Sequence, residues 1–194
     1  MTTSRYRLFL IPLVLIFLLL IPLIQSFIFS SNTKGTIEVN KVVKSDFIKS
    51  DKKIILLFFG YVGCTDVCTP ILNKLNNLYK SKKFQDIKED VEILFVNLTP
   101  EVQQFQPNLF AKYFNKDFKG IYLSKKETLN IDRNFGVFFS RDLSEETELN
   151  HTDYIYLIDN YSNSKILKNI YTTHPLNKIK LINDIMLLKR RREL

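Results

Sequence analysis

The chain has 194 residues, which leaves room for one membrane segment and one globular domain of ordinary size. Its net charge is +8, but no stripe of basic residues alternates with exposed aromatic residues, so we do not expect nucleic acid as a partner. The two cysteines are too few for a small scaffold stapled by disulfides, so they indicate a site instead.

An apolar segment near the N-terminus is long enough to cross a membrane. Leu8–Phe29 contains no charged residue, and its length matches the roughly 20 residues that span a hydrocarbon core. Arg5 and Arg7 precede it, so we predict a single-pass helix with the N-terminus in the cytoplasm and the rest exported. A cleaved signal peptide is the alternative. Since no arginine-rich organelle presequence precedes the segment, the predicted location is a bacterial inner membrane with the domain in the periplasm.

We divide the chain into a membrane anchor at residues 1–29, a tether with a short extended segment at 30–46, and a domain at 47–194. Within the tether region, Thr36–Val43 has the pattern of an extended or hairpin segment. Ile54–Tyr61 is a continuous apolar run that ends at a glycine-containing turn. Such a run predicts a central strand that is buried on both faces.

A helix follows, because apolar residues recur at helical spacing. They are Ile71, Leu72, Leu75, Leu78 and Tyr79. Val91–Leu98 predicts a second buried strand. A helix could start at Thr99, but Pro107 would break it, so we predict that the longer helix begins at Pro107 and ends near Phe114.

The remaining segments predict one more strand and helix, a hairpin and a final helix. The strand is expected at Gly120–Leu123, the helix at Glu127–Phe135, and the hairpin strands at Asp153–Asp159 and Lys165–Tyr171. The final helix starts at Pro175. Its predicted buried residues are Leu176, Ile179, Leu181, Ile182, Ile185, Met186 and Leu188. This order predicts an α/β domain with a mixed sheet flanked by helices.

The two cysteines, Cys64 and Cys68, follow the first core strand and open the first helix, which points to a thioredoxin-like fold. Thioredoxin-type redox motifs have two residues between the cysteines, whereas three separate this pair. One helical turn therefore places both sulfurs on one face, where they could chelate a metal and could also form a disulfide. A helix N-terminus favours the thiolate, which serves either chemistry.

His151 lies directly before the strand-like run Asp153–Asp159, on a loop that such a fold places opposite the cysteines. Two thiolates with an imidazole suit copper, whereas structural zinc normally requires four protein ligands. The other histidine, His174, precedes Pro175 at a helix start, and we predict that it is a local helix-terminus residue.

The segments SDFIKSDKKIILLFFGYVGCTDVCTPIL and LNHTDYIYLID resemble the Sco/SenC family of membrane-anchored copper proteins. The resemblance extends over about Phe47 to Leu188. It implies that Cys64, Cys68 and His151 bind one copper ion, as Cu(I) or Cu(II), on a thioredoxin fold. It also implies delivery of copper to the binuclear copper centre of cytochrome c oxidase subunit II, or preparation of the cysteines of that centre.

Two functions therefore remain open at this point. One is a copper-binding assembly factor, which is a metallochaperone rather than an enzyme. The other is a membrane-anchored thiol–disulfide oxidoreductase in which Cys64 and Cys68 react and His151 is not needed. A third interpretation assigns the cysteines no function: both are oxidised and inert.

Overall fold

The computed structural model describes residues 12, 14, 16–21, 35–141, 149–161, 164–173 and 175–191. The chain divides into two compact units, Met1–Gly35 and Thr36–Leu194. In the first unit, residues 12, 14 and 16–21 are helical. Within the described residues, no helix combines the length and the apolar character needed to span a bilayer. Most of the predicted anchor and part of the tether lie outside the described residues, so the three-part division stays a prediction.

The second unit is built on a six-stranded mixed sheet. The strands of the chain are β1 (Thr36–Val42), β2 (Ile54–Gly60), β3 (Val91–Asn97), β4 (Lys119–Ile121), β5 (Phe139–Arg141), β6 (Leu149–His151), β7 (Ile155–Tyr161) and β8 (Ser164–Tyr171). Their order in the large sheet is β1-β8-β7-β2-β3-β4. Strands β2, β3 and β4 are parallel, while β7, β8 and β1 join as antiparallel neighbours. Strands β5 and β6 form a separate antiparallel pair.

Helices cover both faces of the large sheet. They are α1 (Cys68–Tyr79), α2 (Lys82–Gln85), α3 (Gln106–Phe114), α4 (Lys125–Phe135) and α5 (Lys178–Arg190), with a 3₁₀ turn at Lys88–Asp90. Alternate residues of β2 point to opposite faces. Leu56 and Phe58 pack with α1, α3 and α5, whereas Leu57 and Phe59 pack with α4. This is the mixed sheet flanked by helices that the sequence predicts.

The central elements agree closely with the sequence predictions. Every residue of β2 and β3 is buried, as expected for strands covered on both faces. Helix α3 begins next to Pro107, and Thr99 starts a turn rather than a helix. The two predicted hairpin strands are β7 and β8, which pair antiparallel. The segment at residues 36–42 is strand β1, which pairs with β8 and forms one edge of the large sheet.

Three details differ from the sequence predictions. The last helix was predicted to start at Pro175, but α5 starts at Lys178, where the Asn177 side chain caps it by accepting from the Lys180 N–H. Ile179 was predicted to be buried, but 68% of its surface is exposed. At 100° per residue it lies about 200° around α5 from the fully buried Leu181, so it points away from the sheet. The pair of strands β5 and β6 was not predicted, because each has only three residues and carries no recognisable period.

Candidate metal centre

The end of β2 and the start of α1 place the two cysteines. The chain leaves the sheet at Gly60, turns through Gly63 at a φ of +92°, and reaches Cys64, whose N–H donates to the Tyr61 carbonyl at 3.3 Å. Only glycine adopts such a φ without strain, so Gly63 permits this turn. Cys68 is the first residue of α1. The cysteines therefore lie at the carboxyl end of a central strand, as predicted.

Cys64 also caps the N-terminus of helix α1. The capping residue of α1, Val67, has no side-chain hydrogen bond to the helix. Instead, the Cys68 N–H donates to the Cys64 sulfur at 3.2 Å, and the Thr69 hydroxyl donates to the Cys64 carbonyl at 2.9 Å. The first N–H groups of a helix lack partners within it, so the sulfur satisfies one of them. This contact fixes Cys64 against the helix that carries Cys68.

His151 reaches the cysteines from the second sheet. It ends β6 opposite Phe139, and the Thr152 N–H anchors the strand end by donating to the Phe138 carbonyl at 2.9 Å. His151 Nδ1 lies 2.9 Å from the Thr152 carbonyl oxygen. A carbonyl oxygen only accepts, so Nδ1 carries the hydrogen and Nε2 keeps a free lone pair. The sequence placed His151 on a loop, whereas the structure places it at a strand end.

The imidazole ring is also fixed by its aromatic neighbours. The rings of Phe58 and Tyr61 contact it edge-on, with centroid distances of 6.3 and 5.9 Å. Nε2 then lies 3.6 Å from the Cys68 sulfur. Backbone and ring contacts together orient the donor nitrogen toward the cysteine pair.

The structure brings the three predicted ligands together. The Cys64 and Cys68 sulfurs and a His151 ring nitrogen all lie within 4.8 Å of one another, although 83 residues separate Cys68 from His151. Both cysteines are free thiols. Two sulfur donors and one imidazole form a soft donor set that suits a thiophilic metal. His174 lies outside the described residues.

The two thiols have different electrostatic environments. The pKa of the Cys64 thiol is lowered, chiefly because its sulfur accepts hydrogen bonds from the Cys68 thiol and from backbone N–H groups, although burial opposes this effect. The pKa of the Cys68 thiol is raised, first because it donates to Cys64 and then because it is buried. The two shifts have opposite directions, so the thiolate form is favoured at Cys64 over Cys68.

A cleft of about 450 Å³ opens onto the site. Its lining residues are Tyr61, Val62, Gly63, Cys64, Thr65, Asp66, Val67, Leu149, Asn150 and His151. Cys64 and His151 line this cleft, while Cys68 lies behind them and is fully buried. A ligand that enters from solvent therefore meets Cys64 and His151 first.

Asn97 is a part of the site that the sequence analysis missed. It ends β3, is completely buried, and its side-chain oxygen accepts from the Val62 N–H at 3.0 Å, directly before the cysteine turn. The only available signal was a single amide at the end of an otherwise apolar strand. A buried polar group of this kind requires hydrogen-bond partners.

Comparison with known proteins agrees with this geometry. The sequence profile of the SCO1/SenC family matches residues 40–186. An SCO2-like protein of Rickettsia felis is 27% identical over 138 residues, which cover 68% of this chain and 63% of the relative. The chain therefore spans less than two thirds of the length of that relative.

Solved structures share the fold. The copper-bound structure of Arabidopsis thaliana ScoI has a TM-score of 0.58 and 23% identity, over 73% of this chain and 86% of that protein. BsSco, described as a Sco-family cytochrome c oxidase assembly protein with a disulfide switch, has a TM-score of 0.53 and 14% identity, over 80% of this chain and 94% of that protein. The profile match covers most of the chain, and together with the fold it shows that this protein belongs to the SCO1/SenC family.

Proposed function

We propose that this protein is a copper-binding assembly factor. Cys64, Cys68 and His151 hold one copper ion as cargo, and the acceptor is the binuclear copper site of cytochrome c oxidase subunit II. The observation that carries the proposal is the convergence of three soft ligand atoms within 4.8 Å. Membership of the SCO1/SenC family and the copper-bound ScoI neighbour support copper as the metal. The description of BsSco supports an oxidase partner.

A site with three metal ligands beside a cleft is well suited to a protein that passes its metal ion to another protein. A closed structural zinc site has four protein ligands, whereas three leave a position at which an acceptor can attack. An acceptor thiolate enters from the cleft, and the chain's ligands leave one at a time as bonds to the acceptor form. Copper keeps its oxidation state during this exchange, so no electron donor is required.

A thiol–disulfide oxidoreductase is the second candidate function, because both cysteines are free thiols with different environments. The Cys64 thiolate would attack one sulfur of a target disulfide and release the other as a thiolate. Cys68 would then displace the target from the mixed disulfide. The target gains two electrons, and this chain ends with a Cys64–Cys68 disulfide. Reduction of an acceptor's cysteines could precede copper loading on the same target.

The proposed setting is a bacterial inner membrane. The uncharged run Leu8–Phe29 would anchor the chain, with the N-terminus in the cytoplasm and the copper-binding domain in the periplasm. Two observations support an exported, membrane-associated protein. Arg5 and Arg7 precede the run, and the SCO1/SenC neighbour from Bacillus anthracis is described as a lipoprotein.

Anaerobic titration of the purified full-length chain with Cu(I), in detergent and with a competing chelator, tests the metal proposal. We expect one tightly bound ion in the wild type. His151→Ala should weaken binding at least about tenfold, because removal of a donor from a three-ligand site leaves only the two sulfurs. Cys64→Ser and Cys68→Ser should abolish tight binding, because each replaces a soft ligand by a hard one.

His174→Ala is the matched control, because it removes the other histidine of the sequence. It should bind copper like the wild type. An unchanged copper affinity in His151→Ala would contradict the three-ligand proposal. A wild type that reduces a test disulfide rapidly but does not bind Cu(I) would instead support the oxidoreductase.

A further inference from the structure

Two residues beneath the metal centre make no contact with the cleft but determine where the sulfurs lie. Gly60 and Asn97 are the last paired residues of the parallel strands β2 and β3. The Leu98 N–H donates to the Gly60 carbonyl at 2.7 Å, which extends the pairing past the strand ends. We call Gly60 and Asn97 the strand-end pair. The cysteine turn starts immediately after it.

Glycine is needed at position 60 because of the atoms packed around it, and not because of its backbone conformation. Its φ does not lie in the left-handed region, so other residues could adopt this conformation. A Cβ at this position, however, would overlap the Cys68 sulfur and would lie 3.0 Å from the Phe95 ring and 3.3 Å from the Phe58 ring. A glycine within a strand often marks such a close approach. Because Gly60 has no side chain, the Cys68 sulfur can occupy the space next to it.

The Cys68 sulfur cannot move without changing the site. Its side chain is fully buried, and rotation about a single torsion determines its position. The sulfur lies 3.6 Å from His151 Nε2 and within 4.8 Å of the Cys64 sulfur. A methyl group on Gly60 would therefore push the sulfur out of its position relative to both other ligands.

Asn97 fixes the other cysteine through the backbone. Its side-chain oxygen accepts from the Val62 N–H at 3.0 Å and from the Thr99 hydroxyl at 3.0 Å. Its side-chain nitrogen donates to the Thr99 carbonyl at 2.6 Å. The bond to Val62 ties the turn that delivers Cys64 to the neighbouring strand. Because Asn97 is completely buried, loss of this amide would leave the Val62 N–H without that partner.

We propose that Gly60 and Asn97 are positioning residues that set the distances among the Cys64 sulfur, the Cys68 sulfur and His151 Nε2. Gly60 leaves the space for one sulfur, and Asn97 holds the turn that carries the other. Neither residue touches the metal. This inference rests on the proposed function for its copper readouts, but its consequence for the two thiols is independent of copper.

The first test compares Gly60→Ala with Gly120→Ala in the full-length chain. Gly120 lies in β4, where a Cβ would overlap the carbonyl of Pro107 in α3, so its substitution strains the fold away from the cysteines. We expect Gly60→Ala to weaken copper binding about tenfold or more and to change the thiolate-to-Cu(II) absorption and the Cu(II) EPR spectrum. Gly120→Ala should lower the melting temperature but keep both spectra.

The second test compares Asn97→Ala with Thr99→Val. Both variants disturb the same buried amide, but only Asn97→Ala removes the bond to Val62, since Thr99→Val deletes only the hydroxyl contact. We expect altered Cu(II) spectra for Asn97→Ala and wild-type spectra for Thr99→Val. This comparison decides the role of Asn97 whether or not Gly60→Ala folds.

A metal-free readout separates this inference from the proposed function. In glutathione buffers, the Cys64–Cys68 disulfide of Gly60→Ala and Asn97→Ala should be about tenfold less stable than in the wild type, because the sulfurs are no longer held side by side. The controls should match the wild type. If the wild type binds no copper, the proposed function fails and this equilibrium alone decides the positioning roles. Wild-type spectra and a wild-type equilibrium in both variants would overturn the inference.

Discussion

At the scale of single residues, two chemically identical side chains have different properties because of their positions. Cys64 lines the cleft and its sulfur accepts the N–H of Cys68 at 3.2 Å, whereas Cys68 is fully buried behind it. The hydrogen bond from the Cys68 thiol to the Cys64 sulfur lowers the pKa of Cys64 and raises the pKa of Cys68, which burial raises further. Both cysteines are buried, but only Cys64 borders the cleft. The proposed attacking residue in disulfide exchange is Cys64.

This difference predicts the order of alkylation. With a limiting amount of iodoacetamide, the reduced, copper-free protein should be modified first at Cys64, because the reagent reaches the cleft before it reaches Cys68. Peptide mass spectrometry after partial reaction measures the ratio of the two products. Cys64→Ser should react more slowly than Cys68→Ser. Preferential labelling of Cys68 would show that the cleft is not the route of access.

At the scale of secondary structure elements, the sequence predicted the parts whose pattern is local. Strand β2 is a seven-residue apolar run, and α1 has apolar residues at helical spacing, so both follow from the residues alone. The short strands β5 and β6 could not be predicted, because three residues show no period and their pairing depends on contacts across the fold.

The sequence predicted the three residues that the structure brings together, but not the residues proposed to position them. Cysteine spacing and the soft character of the donors indicate Cys64 and Cys68. The position of His151 directly before a predicted strand, together with the family resemblance, indicates the histidine. From the sequence alone, Gly60 is interpreted as part of a turn and Asn97 as a residue near the end of a strand. Their roles depend on which residue lies opposite in the neighbouring strand, and a sequence without a fold does not contain that register.

Helix α1 carries Cys68, so its packing is a prediction at this scale. Leu72 is fully buried against the sheet, and Leu72→Ala should lower the free energy of unfolding by about 2–5 kcal/mol. Leu129 on α4 is 70% exposed and gives a matched control. Leu129→Ala should change stability by less than about 0.5 kcal/mol. Urea unfolding followed by circular dichroism measures both. Equal losses would contradict the observed burial of α1.

At the scale of the whole molecule, a cluster of charges joins the end of the sheet opposite the metal centre to the last helix. Asp90 precedes β3 and forms salt bridges with Lys189 of α5 at 3.0 Å and with Lys53, directly before β2, at 3.5 Å. The hydrogen bond from Lys189 and the charges of both lysines hold the pKa of Asp90 below its ordinary value of 3.8. One carboxylate therefore connects three elements that are distant in sequence.

The lowered pKa of Asp90 predicts how stability depends on pH. The folded chain binds this proton less readily than the unfolded chain, so the stabilisation is present above pH 3.8 and is lost as the pH falls through the lowered pKa. Asp90→Asn should be less stable than the wild type at neutral pH and should lose less stability on acidification. Urea unfolding at several pH values on both sides of 3.8 measures this difference. Asp51→Asn, at an exposed carboxylate, is the control and should keep the wild-type slope. Parallel slopes for Asp90→Asn and the wild type would contradict the role of this cluster.

The separation of the candidate ligands along the chain links metal binding to folding. Cys68 begins helix α1 and His151 ends strand β6, 83 residues later in the chain, so the three donors are adjacent only in the folded chain. A ligand that binds only the folded state adds its binding free energy to the stability of that state. The copper-loaded protein should therefore unfold at a higher urea concentration than the metal-free protein. Because this added stability is the binding free energy itself, removal of the ion by the proposed acceptor should lower the free energy of unfolding of the carrier by the amount with which the ion stabilised it.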